Sequence, residues 1–148
     1  MIQFKNLNQD EPYLLFKTKY EEAFNAGQKV IEAISISTYD NKSNEVDSRF
    51  VNLKFVSKDE FIFFTNYKSP KANSFITHNQ IAALIYWSSI NVQVRMKAKI
   101  KKMSDDYNQK YFENRSEKKN ALAISSNQSK PIDSYRKVIE NYNKSLIN

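Results

Sequence analysis

The chain has 148 residues, 41% hydrophobic and 26% charged, with a formal net charge of +7. That is enough apolar material for one folded core, too little length for two, and too hydrophobic for a disordered chain. Zero Cys excludes disulfides, thiolate chemistry and cysteine metal sites; the single His (His78) argues against histidine metal clusters and a Ser-His-Asp triad, and the single Gly (Gly27) against glycine-rich nucleotide loops.

In chain order, Asp10 ahead of Pro12 reads as a helix start and Gly27 as its stop. Between them Tyr13, Phe16, Tyr20, Ala23 and Phe24 recur at helical spacing and predict an amphipathic helix. Ala33–Tyr39 is rich in strand formers, and Asp40–Asn44 is a run of turn formers. Val46–Val56 then predicts a returning strand, Ser57–Glu60 another turn, and Phe61–Thr65 a third strand. Ser69 and Pro70 predict the start of a short helix running toward His78. Ile81–Trp87 is a continuous apolar run and predicts a buried strand. Val92, Val94, Met96, Ala98 and Ile100 alternate with Gln93, Arg95, Lys97, Lys99 and Lys101, a period of two. Beyond this the pattern turns helical: Ser104-Asp105-Asp106 caps a helix through Arg115, a short helix covers Lys118–Ile124, and Tyr135, Val138, Ile139, Tyr142 and Leu146 define a last helix after Pro131. The expected architecture is α+β: one domain spanning 1–148, mainly an antiparallel β-barrel with flanking helices. With no apolar leader, no run of about 20 apolar residues and no cysteine, the expected setting is cytoplasmic, away from membranes.

A positive balance draws anions: nucleic acid, an acidic membrane surface, or a phosphorylated small molecule. Lacking a glycine loop, the chain must hold any phosphate with Arg, Lys and hydroxyl side chains or a helix N-terminus. Two segments offer these. Arg49 and Lys54 bracket an apolar strand. They are five apart, so strict alternation sends them to opposite faces unless the strand bulges; taken alone, the pair reads more readily as two solvated charges. At Phe63–Lys71 a strand ends in Thr65 and a helix begins at Ser69-Pro70, which gathers a hydroxyl, the Lys71 cation and free N–H groups. An ordinary capped helix accounts for the same residues. The basic face from Gln93 to Lys101 reads either as a nucleic-acid track with aromatic platforms or as the wet side of a half-buried strand. His78 reads as a helix-end residue without catalytic duty.

Taken together and in order, Arg49–Lys54, Phe63–Lys71, Tyr86-Trp87, Val92–Val94, Tyr111-Phe112 with Arg115, and Ser126–Ser129 resemble the pyridoxamine 5′-phosphate oxidase family, from about Ala23 to Ile132. The resemblance implies a split-barrel homodimer that binds flavin mononucleotide (FMN) in clefts between subunits. It carries the flavin site onto Arg49, Val51, Lys54, Phe64, Thr65, Lys71, Gln93, Gln128 and Ser129. Within that set Arg49, Thr65, Lys71 and Ser129 serve the phosphate, while Gln93 and the strand around Val51 serve the ring. Lys54, Tyr111 and Arg115 match residues that hold the substrate phosphate, and Lys119 stands where the family has a serine. The pattern departs at Pro70, where the family has Arg, and at Ala72, where it has Gly. The family's terminal strands, with a Trp, an Arg and an Arg-x-His pair, have no counterpart before Asn148. The implied function is an FMN-binding oxidoreductase taking hydride from a small anionic or phosphorylated substrate, with flavin binding a firmer expectation than vitamin B6 oxidation. The alternatives are a non-catalytic flavin-binding or storage protein and a single-stranded nucleic-acid-binding module. No metal is expected.

Overall fold

A computed structural model describes residues 1–65, 70–113, 125 and 134–147. The chain forms two compact units, residues 1–100 and 101–148, each taken by itself below.

The first unit opens with β1 (Gln3–Lys5) and α1 (Glu11–Asn25). Asp10 is extended ahead of the helix, and Pro12 sits in the first turn, where a missing N–H costs nothing. At the other end Gly27 adopts φ +73°, and the N–H of Gln28 reaches back to the Ala23 carbonyl at 3.0 Å. That left-handed residue closes the helix without a Cβ penalty. The spacing of Phe16, Tyr20 and Ala23 puts all three on the buried face.

Next come β2 (Ala33–Asp40), β3 (Glu45–Ser57), β4 (Glu60–Phe63), α2 (Pro70–Thr77), β5 (Gln80–Trp87) and β6 (Val92–Lys99). β2 and β3 form an antiparallel hairpin in register from Ala33↔Asn52 to Asp40↔Glu45. β5 pairs β2 on its other side, and β6 pairs β5 from Gln80↔Lys99 to Trp87↔Val92. β3 outruns β2. From Leu53 onward it pairs antiparallel with β4, and its last residues pair parallel with β1. The strand order is β1-β3-β2-β5-β6, with β4 also on β3. Among the described residues no ladder returns from β6 to β1 or β4, so the barrel is split.

Where β3 changes partners it bulges: Leu53 faces Phe63 and Phe55 faces Ile62, which leaves Lys54 as the extra residue. The bulge resets the alternation. Leu53 and Val56, three apart, are therefore both buried. The core gathers Ile2, Phe16, Tyr20, Ile34, Leu53, Val56, Ile85 and Trp87. Trp87 lies against Phe16 at 5.5 Å between ring centroids, and its indole N–H donates to the Ile31 carbonyl at 3.0 Å. Each large apolar side chain buried here contributes about 1.5–3 kcal/mol.

Two expectations are corrected. β5 is half-buried: Ile81, Ala83, Ile85 and Trp87 face the core while Ala82, Leu84 and Tyr86 face outward. Its outer residues happen to be apolar too, which hides the alternation in the sequence. The third strand ends at Phe63, so Thr65 lies beyond it. β1 was not expected; three residues carry no readable period, and their pairing is with a distant strand.

In the second unit, α3 (Asp105–Glu113) starts where Ser104 Oγ accepts the Tyr107 N–H at 3.3 Å, with Asp105 and Asp106 in its first turn. α4 (Tyr135–Ile147) is capped the same way by Ser134, which accepts the Lys137 N–H. The expected helix over 118–124, and Ser69, Arg115, Lys119, Gln128 and Ser129, lie outside the described residues. No helix among the described residues is long and apolar enough to cross a membrane.

Candidate functional site

Every second residue of β2 and β3 points to the inner side of the sheet, and toward the hairpin end these positions turn from apolar to polar. Ile34 and Ile36 give way to Thr38 and Asp40, while across the ladder stand Arg49, Asp47 and Glu45. With Ser43 from the turn and Ser74 from α2 they line an open cleft of about 230 Å³. The last turn of α2 is tied to the hairpin: Asn41 donates to the Thr77 carbonyl at 2.9 Å, and the His78 ring meets Tyr39 edge-on at 5.6 Å.

Arg49 is the centre of this cleft. Its side chain is only 19% exposed. Nη1 donates to Thr38 Oγ1 at 2.7 Å and to the Ile36 carbonyl at 3.4 Å; Nη2 donates to Asp47 Oδ2 at 2.6 Å. A guanidinium has five N–H donors in a planar fork. Among the described residues, Nε and the second Nη2 hydrogen have no partner, so the fork retains capacity for an anion. Thr38, 3% exposed, meets the rule for a buried hydroxyl by serving both Arg49 and the Asp47 carbonyl.

Val51, half-buried, shares the inner face two residues on from Arg49. Lys71 occupies the first turn of α2, the helix that also contributes Ser74 to the cleft. Thr65 is half-buried just past β4, and the Phe64 ring meets Phe55 edge-on at 6.3 Å. Lys54, at the bulge, stands 3.7 Å from Glu32 Oε1, which also receives the N-terminal ammonium at 3.5 Å. Burial alone would raise the Glu32 carboxyl. Its own backbone N–H, the N-terminal charge and Lys54 together outweigh this and hold it below the usual carboxylate value. Gln93 is elsewhere: it pairs with Tyr86 and is exposed on the outer face of the sheet, opposite to Arg49. Tyr111 lies on α3, in the second unit.

One chain thus brings Arg49, Val51 and α2 together at one end of the hairpin and sets Gln93 on the reverse side. The sequence reading missed Thr38, Ser74 and Asp47. The signal for Thr38 was present: it follows Ile34 and Ile36 at the inward spacing, so a hydroxyl there needs a buried partner. No cluster of His, Asp and Glu among the described residues is arranged to hold a metal ion.

Comparison with known proteins gives consistent results. The profile described as "Pyridoxamine 5'-phosphate oxidase" matches residues 20–141. The pyridoxine/pyridoxamine 5′-phosphate oxidase of Bombyx mori is 36% identical over 132 residues, which cover 88% of this chain and 51% of that protein. The chain therefore spans about half the length of that curated relative. Among solved structures, PhzG from Burkholderia lata 383, determined with tetrahydrophenazine-1-carboxylic acid, superposes with a TM-score of 0.83 at 21% identity, covering 93% of this chain and 67% of that one. A pyridoxamine 5′-phosphate oxidase-related, FMN binding protein from Nostoc punctiforme PCC 73102 follows at TM-score 0.65 and 14% identity, covering 84% and 70%. At those identities the two structures establish the shared fold, an FMN-binding split barrel in type.

Proposed function

This chain belongs to the pyridoxamine 5′-phosphate oxidase family, and from that membership we propose that it is an FMN-dependent oxidoreductase acting on a small anionic or phosphorylated substrate. The observation that carries the reading is Arg49. A cation held at 19% exposure by a buried hydroxyl, with two donors still open, suits an anionic tail better than bulk water. Arg49, Thr65 and Lys71, joined by Ser129, hold the FMN phosphate, and the N-terminal turn of α2 adds its dipole. Val51 and Phe64 flank the cofactor, with Gln128 and Gln93 donating to it. Bound flavin supplies a two-electron acceptor. The task of the chain's own donors is to stabilise negative charge on the reduced ring and to keep water from it. Lys54, Tyr111, Arg115 and Lys119 receive the anionic group of the substrate; Lys54 does so from beside Glu32, whose carboxylate positions the ammonium.

A homodimer completes the site in this reading. Gln93 and Arg49 are on opposite faces of one sheet, so a cofactor needing both must meet them from different copies. The outer face supports a second copy, since Phe50, Leu84 and Tyr86 leave it 76%, 41% and 56% exposed. Isolated exposed apolar residues are ordinary, but a set that recurs across β3 and β5 favours a covering partner.

Two steps test the reading. The purified protein, incubated with FMN and passed through a desalting column, retains flavin absorbance; a colourless eluate contradicts it. Anaerobic addition of pyridoxamine or pyridoxine 5′-phosphate, or other phosphorylated amines and alcohols, then bleaches the flavin band. Retained colour without bleaching by any donor supports a flavin carrier in place of an oxidoreductase.

A further inference from the structure

We propose that Asp47 is a built-in competitor of the cofactor phosphate for Arg49, a specificity-determining residue that weakens the grip on FMN; the inference rests on the flavin reading above. Asp47 and Arg49 are two apart on β3 and so share one face of the strand. Their contact is short, Nη2 to Oδ2 at 2.6 Å, and the two side chains differ sharply in exposure, 73% for Asp47 and 19% for Arg49. A carboxylate presents to a guanidinium the same planar acceptor pair that a phosphate does. The solvent-side edge of the fork, the one an incoming anion reaches, is therefore already faced by an anion of this chain.

Asp47 has two conceivable effects, and the hydrogen bonds decide between them. If Asp47 were needed to orient Arg49, its loss would release the guanidinium. The orientation is instead fixed at the other nitrogen, where Nη1 is held by the buried Thr38 hydroxyl and the Ile36 carbonyl. Asp47 adds no further constraint on the plane, and it adds a negative charge within a few ångströms of any bound phosphate. Asp40 and Glu45 line the same cleft, so three carboxylates share it with one guanidinium. The cleft favours a ligand with compensating cations from elsewhere, such as Lys71, over an isolated phosphate. The consequence is a cofactor that exchanges, with a narrow gap between phosphorylated and unphosphorylated flavin.

The test is Asp47→Asn in the full chain, isosteric and at an exposed position, titrated with FMN and with riboflavin. One unit charge removed at about 4 Å in a solvated cleft is worth roughly fivefold in affinity, more where water is partly excluded. The FMN dissociation constant is expected to fall by about fivefold to tenfold, with riboflavin unchanged within about twofold. Glu45→Gln removes the same charge from the same cleft without touching Arg49 and is expected to give a smaller gain. Weaker FMN binding in Asp47→Asn would mean that Asp47 orients the guanidinium, and would overturn the inference; an equal gain from Glu45→Gln would overturn its assignment to this ion pair. Both results leave the flavin reading standing. Failure of the parent and the variant alike to bind either flavin removes that reading, and this one with it.

Discussion

Thr38 shows how much one hydroxyl carries in this chain. It is buried, it accepts from a charged donor, and it sits where the apolar inner face of β2 gives way to a polar cleft. Hydrogen bonds to charged groups contribute about 1.5–3 kcal/mol. Thr38→Val keeps the shape and removes the acceptor. It is predicted to destabilise the fold by that amount in chemical denaturation, while an unchanged midpoint would show that Arg49 finds another partner at no cost. Glu32 gives a prediction with a pH signature. Its folded-state value lies below the ordinary carboxylate value of about 4.3. The stabilisation from its ionised form is thus fully present above that ordinary value and is lost as pH falls through the lowered folded value. The parent protein should out-melt Glu32→Gln near neutrality, and the difference should shrink as pH falls below the ordinary carboxylate value and vanish in strong acid. A gap that persists there would trace the effect to packing and not to charge.

At the scale of elements, the bulge at Lys54 decides which residues of β3 face the core on either side of it. Removing Lys54 leaves Leu53 and Val56 two apart, so strict alternation keeps both on the buried face and only the bend is lost. The deletion is predicted to retain cooperative melting and the native Trp87 fluorescence, and loss of either would show that the bend at the bulge is itself required. Substitution by Ala keeps the extra residue and removes the ion pair with Glu32. Most elements were legible because their period was clean: α1 by its 3.6-residue apolar spacing, β6 by its alternation, the β2–β3 hairpin by Asp40–Asn44. The failures have physical causes. β1 is three residues held by a parallel partner fifty residues away, and β5 is apolar on both faces. The bulge was legible only as a condition: Arg49 and Lys54 could share a ligand if the strand broke its alternation, and it does.

For the whole molecule, the question is what covers the outer face of the sheet. Phe50 lies beside Ser35, which in turn lies beside Leu84 across the β2–β5 ladder, so the three rows form one surface. Phe50→Arg is predicted to convert a dimer to a monomer in light scattering and to weaken flavin uptake in step. A variant that stays dimeric with full uptake would move the interface elsewhere. The site was legible in part. Its cations and hydroxyls are visible in sequence as residue types. The partnership of Arg49 with Thr38 and Asp47 depends on cross-strand register, and composition does not encode that. Gln93 is expected at the same site, yet one chain places it on the reverse face of the sheet.

In the proposed site, side chains and one helix start, in place of a glycine loop, grip the phosphate of a flavin. The most direct measurement is a pair of equilibrium titrations, FMN and riboflavin, on the parent protein and on Lys71→Ala. The parent is expected to prefer FMN, and Lys71→Ala to lose about 1.5–3 kcal/mol of FMN binding with riboflavin nearly unaffected. Equal losses for both ligands, or a parent indifferent to the phosphate, would contradict it.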